Sequence, residues 1–148
     1  MSCIRFNTPA QRRQMAAMAP SMIRPEEAAA LHPAPPVTES KINRLRIMAK
    51  DANPKIRESV ASSYHAPEEV YAALAADPDA GVRSWLARNE SVPCDILRSL
   101  ADDESETVRG FLALNFFVPA DVMDQLAEDD SETVRALVKW KSDLALAV

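Results

Sequence analysis

Two columns of opposite charge are the residues whose types and spacing could do chemistry in this sequence. Asp51, Asp77, Asp103 and Asp129 recur every 26 residues, and Arg57, Arg83, Arg109 and Arg135 recur in the same register. A guanidinium fork matches a carboxylate in two parallel hydrogen bonds, so such columns can build ion pairs. Acids alone could instead hold a cation, and Asp77-x-Asp79-x-Gly81 opens like a calcium loop. Position twelve of that loop is Arg88, where the chemistry requires a bidentate Glu. The acidic runs at 102–106 and 128–132 are explained by helix capping. Recurrence in every copy points to a structural ladder, each Arg bridging a helix-capping Asp or a loop carbonyl between neighbours.

The remaining reactive groups do not assemble into a site. Cys3, Cys94, His32 and His65 contain no pair at zinc-ligand spacing. His65 falls in a loop column shared with Ser91 and Phe117, and no nucleophile stands at a fixed distance from it. Cys94 is the second residue of an expected helix, where a thiol can be activated, but Glu68 and Ala120 hold the same column. Only Gly81 and Gly110 occur, which removes phosphate-cradling loops and dinucleotide fingerprints. The expectation is a protein without catalytic residues, metal or cofactor.

The elements that must position the two columns follow from an internal repeat. LAADPDAGVR at 74–83, LADDESETVR at 100–109 and LAEDDSETVR at 126–135 are successive copies, and MAKDANPKIR at 48–57 is a fainter first one. Pro67, Pro93 and Pro119 keep the register. Each unit predicts two short helices. The first starts with the column proline at N1, and its apolar pairs Val70/Leu74, Ile96/Leu100 and Val122/Leu126 share a face. The second opens with the column Asp as N-cap, through Asp77-Pro78 and the boxes Asp103-x-x-Glu106 and Asp129-x-x-Glu132. Its stripe, Val82, Trp85, Leu86 and Asn89, then Val108, Phe111, Leu112 and Asn115, places Trp85 and Phe111 in the core. Val82, Leu86, Leu100, Val108, Leu112 and Leu126 are the expected buried set. Helices this short are marginal alone, so they must stack. The fold class is all-α: a short right-handed α-solenoid of about four 26-residue two-helix repeats over 41–148, with no sheet.

The string L-A-x-D-P-D-x-x-V-R-x-x-L-A-x-N at 74–89, followed by Pro93, Ile96, Leu97 and Leu100, resembles the leucine-rich repeat variant family, a HEAT-like relative in bacterial proteins. The resemblance implies superhelically stacked helix pairs in which one member can be 3₁₀. Some members carry a cysteine cluster for an iron–sulfur centre ahead of the repeats; only Cys3 precedes them here, so that cofactor is not carried over. Ser63 in the first copy and Lys141 in the last replace the column Asn.

Hydrophobic residues make up 47% and charged residues 26% of the 148, a balance that folds rather than stays disordered. No apolar run reaches the ~18 residues of a membrane span, and Arg12-Arg13 interrupt any secretory stretch, so the expectation is a soluble, cytoplasmic protein. Residues 1–50 carry eight Lys/Arg against three Asp/Glu, and residues 51–148 carry nine against nineteen. Residues 1–40 form a basic arm, with expected short helices at 8–19 and 25–31 and a Pro33-Ala34-Pro35-Pro36 linker. The leading function is a non-catalytic scaffold for a protein partner; the alternative is a nucleic-acid-binding module using the basic arm. Leu114, Phe116, Phe117 and Trp140 are the expected partner-binding residues, next to the apolar end Leu144-Ala145-Leu146-Ala147-Val148. The occupant could be a second copy joined through the C-terminal end, a foreign protein, or the Met-rich arm itself. Superhelical twist could equally bury these side chains in the stack.

Overall fold

The computed structural model describes residues 36–146. The helices expected at 8–19 and 25–31, the arm's arginines, Cys3, His32 and the last two residues of the apolar end lie outside this range. One compact unit spans Val37–Leu144. Among the described residues there are eight α-helices and no strand: α1 (Glu39–Met48), α2 (Pro54–Ala61), α3 (Glu68–Ala75), α4 (Ala80–Arg88), α5 (Cys94–Ser99), α6 (Glu106–Leu114), α7 (Ala120–Ala127) and α8 (Glu132–Leu146). Both helices of each pair are α-helical. No helix is long and apolar enough to cross a membrane among the described residues.

Local chemistry sets where these helices begin, and at two points it departs from the sequence expectation. Pro67, Pro93 and Pro119 are N-caps rather than first-turn residues. In all four copies the second helix starts two residues later than expected: Asn53, Asp79 and Ser105 are the N-caps of α2, α4 and α6, and α8 begins at Glu132 with Asp129 accepting the N–H of Ser131. Asp77 and Asp103 stand outside the helix and accept the N–H of Asp79 and Ser105 at 2.9 and 2.8 Å, each closing an Asx turn. Asp51 makes the same turn with the Asn53 N–H although no arginine engages its carboxylate among the described residues, so the turn itself sets the later start; in the second and third copies an arginine of the preceding copy also holds the carboxylate. Asn53-Pro54 does supply the pairing of an N-cap with an N1 proline, in the first copy instead of the second.

Packing follows the 26-residue register. α4 lies against both α2 and α6, the equivalent helices of the copies on either side, while α3 packs on α4 and α5. Val82, Leu86, Val108, Leu112 and Leu126 are fully buried and Leu100 is nearly so. Ala61, Ala87 and Ala113, one column apart in successive copies, are also fully buried and let neighbouring second helices approach closely.

Trp85 corrects the expected core: it is 41% exposed, and Phe111 is only partly buried. Contact from both neighbours shifts the buried arc of α4 toward Arg83, Ser84 and Ala87, away from Trp85. At about 100° per residue, position 85 then falls just beyond the edge of that arc. A one-sided stripe of apolar residues therefore misplaces it.

Candidate interaction surface

The Asp and Arg columns form a ladder that joins successive copies. Arg57 Nε and Nη2 donate to Asp77 at 2.6 and 2.9 Å, Arg83 to Asp103 at 2.7 and 3.0 Å, and Arg109 to Asp129 at 2.7 and 3.0 Å. In each case Nη1 donates to the carbonyl of the column Asp in the arginine's own copy: Asp51, Asp77 and Asp103, all at 2.7 Å. One guanidinium thus ties its own turn to the next. The ends differ. The Asp51 carboxylate accepts the N–H of Asn53 and has no arginine partner among the described residues. Arg135 donates to the carbonyls of Asp129 and Asp130 instead of to a carboxylate.

This geometry moves the titrations in a defined direction. The Arg109 guanidinium, aided by the Ser131 N–H, holds the Asp129 carboxyl below its usual range despite burial. Burial pushes Asp77 up, but the Arg57 bond and the Asp79 N–H outweigh it and the net shift is downward. A carboxyl depressed in the fold stabilises it above the unfolded value, ~3.9 for Asp, and that contribution is lost as pH falls through the lower folded value. Urea midpoints are therefore expected to hold near neutrality and to fall below roughly pH 4. Asp129→Asn should fall less steeply there; an acid limb as steep as that of the parent chain would contradict the assignment.

A second, neutral ladder runs through the column Asn. Asn89 Nδ2 donates to the carbonyls of Ala61 and Ser63 at 2.7 and 2.9 Å, and Asn115 Nδ2 to those of Ala87 and Asn89 at 2.8 and 3.3 Å. Lys141 replaces Asn in the last copy yet does the same work: its Nζ donates to the carbonyls of Ala113 and Asn115. Burial lowers its pKa. By sequence Lys141 is a departure from the repeat, because nothing local indicates that an ammonium can reach the carbonyls an amide would serve.

With both ladders satisfied internally, they present little to a ligand. A cleft of about 380 Å³ between the turns of the third and fourth copies is lined by Asp102, Asp103, Glu104, Arg109, Glu128 and Asp130 among others. Three of its lining residues, Asp103, Arg109 and Asp129, are ladder members. His65 and Cys94 are exposed, and no group of metal-ligating side chains occurs among the described residues.

The apolar surface lies on the second helices and the loop that follows them. Phe116 and Trp140 are each 55% exposed, Phe117 is 39% exposed, and Leu114 is half-buried. Leu144 is also exposed. Leu114 and Phe116 meet: with Arg88, Glu90, Phe111 and Asn115 they line a cleft of about 210 Å³. Lys141 Nζ stands 5.8 Å from the Phe116 ring, and Trp140 is its chain neighbour at the same column as Leu114. Sequence reasoning missed Trp85 and Arg88 at this surface. Arg88 lies over the Trp85 ring and over the Phe111 ring, 5.0 Å from each centroid. The signal available was the 26-residue spacing of Trp85 and Phe111 with Arg88 three residues beyond the first. No protein-family model, curated protein or solved structure matches this chain.

Proposed function

We propose that the chain is a short right-handed α-solenoid of leucine-rich-repeat-variant or HEAT-like type that works as a non-catalytic scaffold, binding a protein partner on the outward face of its second helices. The observation that carries the reading is the exposure of Trp85, Phe116 and Trp140 beside a half-buried Leu114, on second helices and the loop after α6, where the column Asn side chains are already satisfied. Exposed apolar patches on a folded domain usually mark interaction sites. Aromatic residues with an adjacent Arg are also the residue types that dominate binding energy at interfaces. The regular packing of α4 between α2 and α6 supports the repeat architecture.

The test uses the full chain with Leu114→Ser and Trp140→Lys. The probe is an amphipathic peptide with Leu at helical spacing and Gln on its polar positions, read by tryptophan fluorescence, with light scattering for self-association. Binding or self-association lost in the double variant, with urea stability within about 1 kcal/mol of the parent, is the expected result, since surface changes away from packing cost little. A stability loss of several kcal/mol would show that the face is core and would end the proposal. So would binding that persists unchanged.

A further inference from the structure

The guanidinium of Arg88 lies over two aromatic rings. Its carbon stands 5.0 Å from the centroids of both Trp85 and Phe111, and Arg88 is exposed. Stacking fixes the plane of a guanidinium while leaving the N–H edge open, and that edge is shaped for two hydrogen bonds to a carboxylate. Two other exposed arginines are already paired: Arg46 with Glu39 and Glu69, and Arg98 with Asp95 and Asp121. The Arg88 guanidinium has neither an ion pair nor a hydrogen bond among the described residues.

The cleft beside it supplies the second half of a recognition site. Phe111, Leu114 and Phe116 supply its apolar lining, and Arg88 lines it with them. Among the described residues the only acid lining it is Glu90, against the many acids that crowd the turns at 102–106 and 128–132. The face is thus locally less acidic than the body that carries it. An apolar side chain can enter the cleft while a neighbouring carboxylate meets the guanidinium edge.

We propose that the Trp85–Arg88–Phe111 stack and the adjoining cleft read an acidic, apolar peptide segment, an amphipathic helix that places a carboxylate beside a buried Leu or Phe. This rests on the protein-binding reading above and adds the chemistry of the partner. The preferred partner is anionic even though the chain itself carries a formal net charge of −5. A local cation fixed by stacking outweighs a distant, screened net charge, because charges beyond a Debye length of about 8–10 Å contribute little at physiological salt.

The experiment compares three synthetic peptides of one Leu pattern, with Glu, Gln or Lys at the polar positions, bound to the full chain. Tryptophan fluorescence gives affinity, and the Arg88 Nε–H resonance gives the site. The Glu peptide is expected to bind roughly 10-fold tighter than the Gln peptide at low salt and to shift the Arg88 resonance. Arg88→Gln should bring the Glu and Gln peptides to within about 2-fold of each other while leaving Gln-peptide binding in place. Arg88→Lys, which keeps the charge without the planar fork, should retain only part of the preference. Equal binding of all three peptides, or a preference for Lys, overturns the carboxylate assignment yet leaves a protein-binding face standing. A Glu preference that persists in Arg88→Gln places the recognition elsewhere and also overturns it. Failure of every peptide to bind overturns both readings. Occupation of the cleft by a second copy would appear as a doubled mass in light scattering, insensitive to Glu peptide, and would likewise refute an acidic peptide as its occupant.

Discussion

Leu112→Ala is expected to lower unfolding stability by about 2–5 kcal/mol, the range for truncating a buried leucine and leaving a cavity. Leu112 is fully buried on α6, a helix that packs against α4 of the preceding copy and α7 of the following pair. Collapse around the void would have to move both contacts, so partial relaxation offers little relief. For a folded unit of this size, with a total stability of roughly 5–15 kcal/mol, the loss should appear as a melting point lowered by about ten degrees or more. Leu114→Ala, two residues on and half-buried, should cost about 1 kcal/mol or less. Urea melts of the two variants check this. A Leu112→Ala loss below about 1 kcal/mol, or the reverse order, would place the wrong face of α6 inward.

Arg83→Met is expected to destabilise by roughly 3–5 kcal/mol, as removal of one partner from a buried ion pair does. The Arg83 side chain is 8% exposed and that of Asp103 is 6% exposed. The substitution strands the Asp103 carboxylate, which keeps only the Ser105 N–H, and it also removes the donor to the Asp77 carbonyl. Arg83→Lys should recover only part of the loss, because one ammonium cannot serve the carboxylate edge and the Asp77 carbonyl in the same fork. The informative comparison is with the double variant Arg83→Met, Asp103→Leu. With no charge left unpaired, it should regain much of the stability, since apolar replacement of a buried pair is often close to neutral. A double variant no more stable than Arg83→Met alone would show that Asp103 acts chiefly through its turn rather than through the ladder.

Much of the fold is local and therefore legible in the chain. The 26-residue spacing, the proline column, the i,i+4 apolar pairs and the absence of period-2 alternation all act within one or two helical turns. They fix eight short helices and the buried set from Val82 to Leu126 without reference to any distant residue. The charge columns are legible as well, because recurrence at a fixed interval shows which residues face equivalent surroundings.

Tertiary structure decided what those surroundings are. Which partner the column Asp carboxylate meets depends on an arginine 20 residues earlier, which claims it in the second, third and fourth copies. The placement of Trp85 depends on contact from two neighbouring helices, which shifts the buried arc toward Arg83 and Ser84 and leaves the ring beyond its edge. Lys141 can take over the work of an asparagine because its stem reaches carbonyls of the copy before it. Arg88 gains its second aromatic ring only when the next copy brings Phe111 beside the guanidinium. In each case the deciding partner lies about a whole repeat away in sequence, where composition and periodicity carry no information about distance.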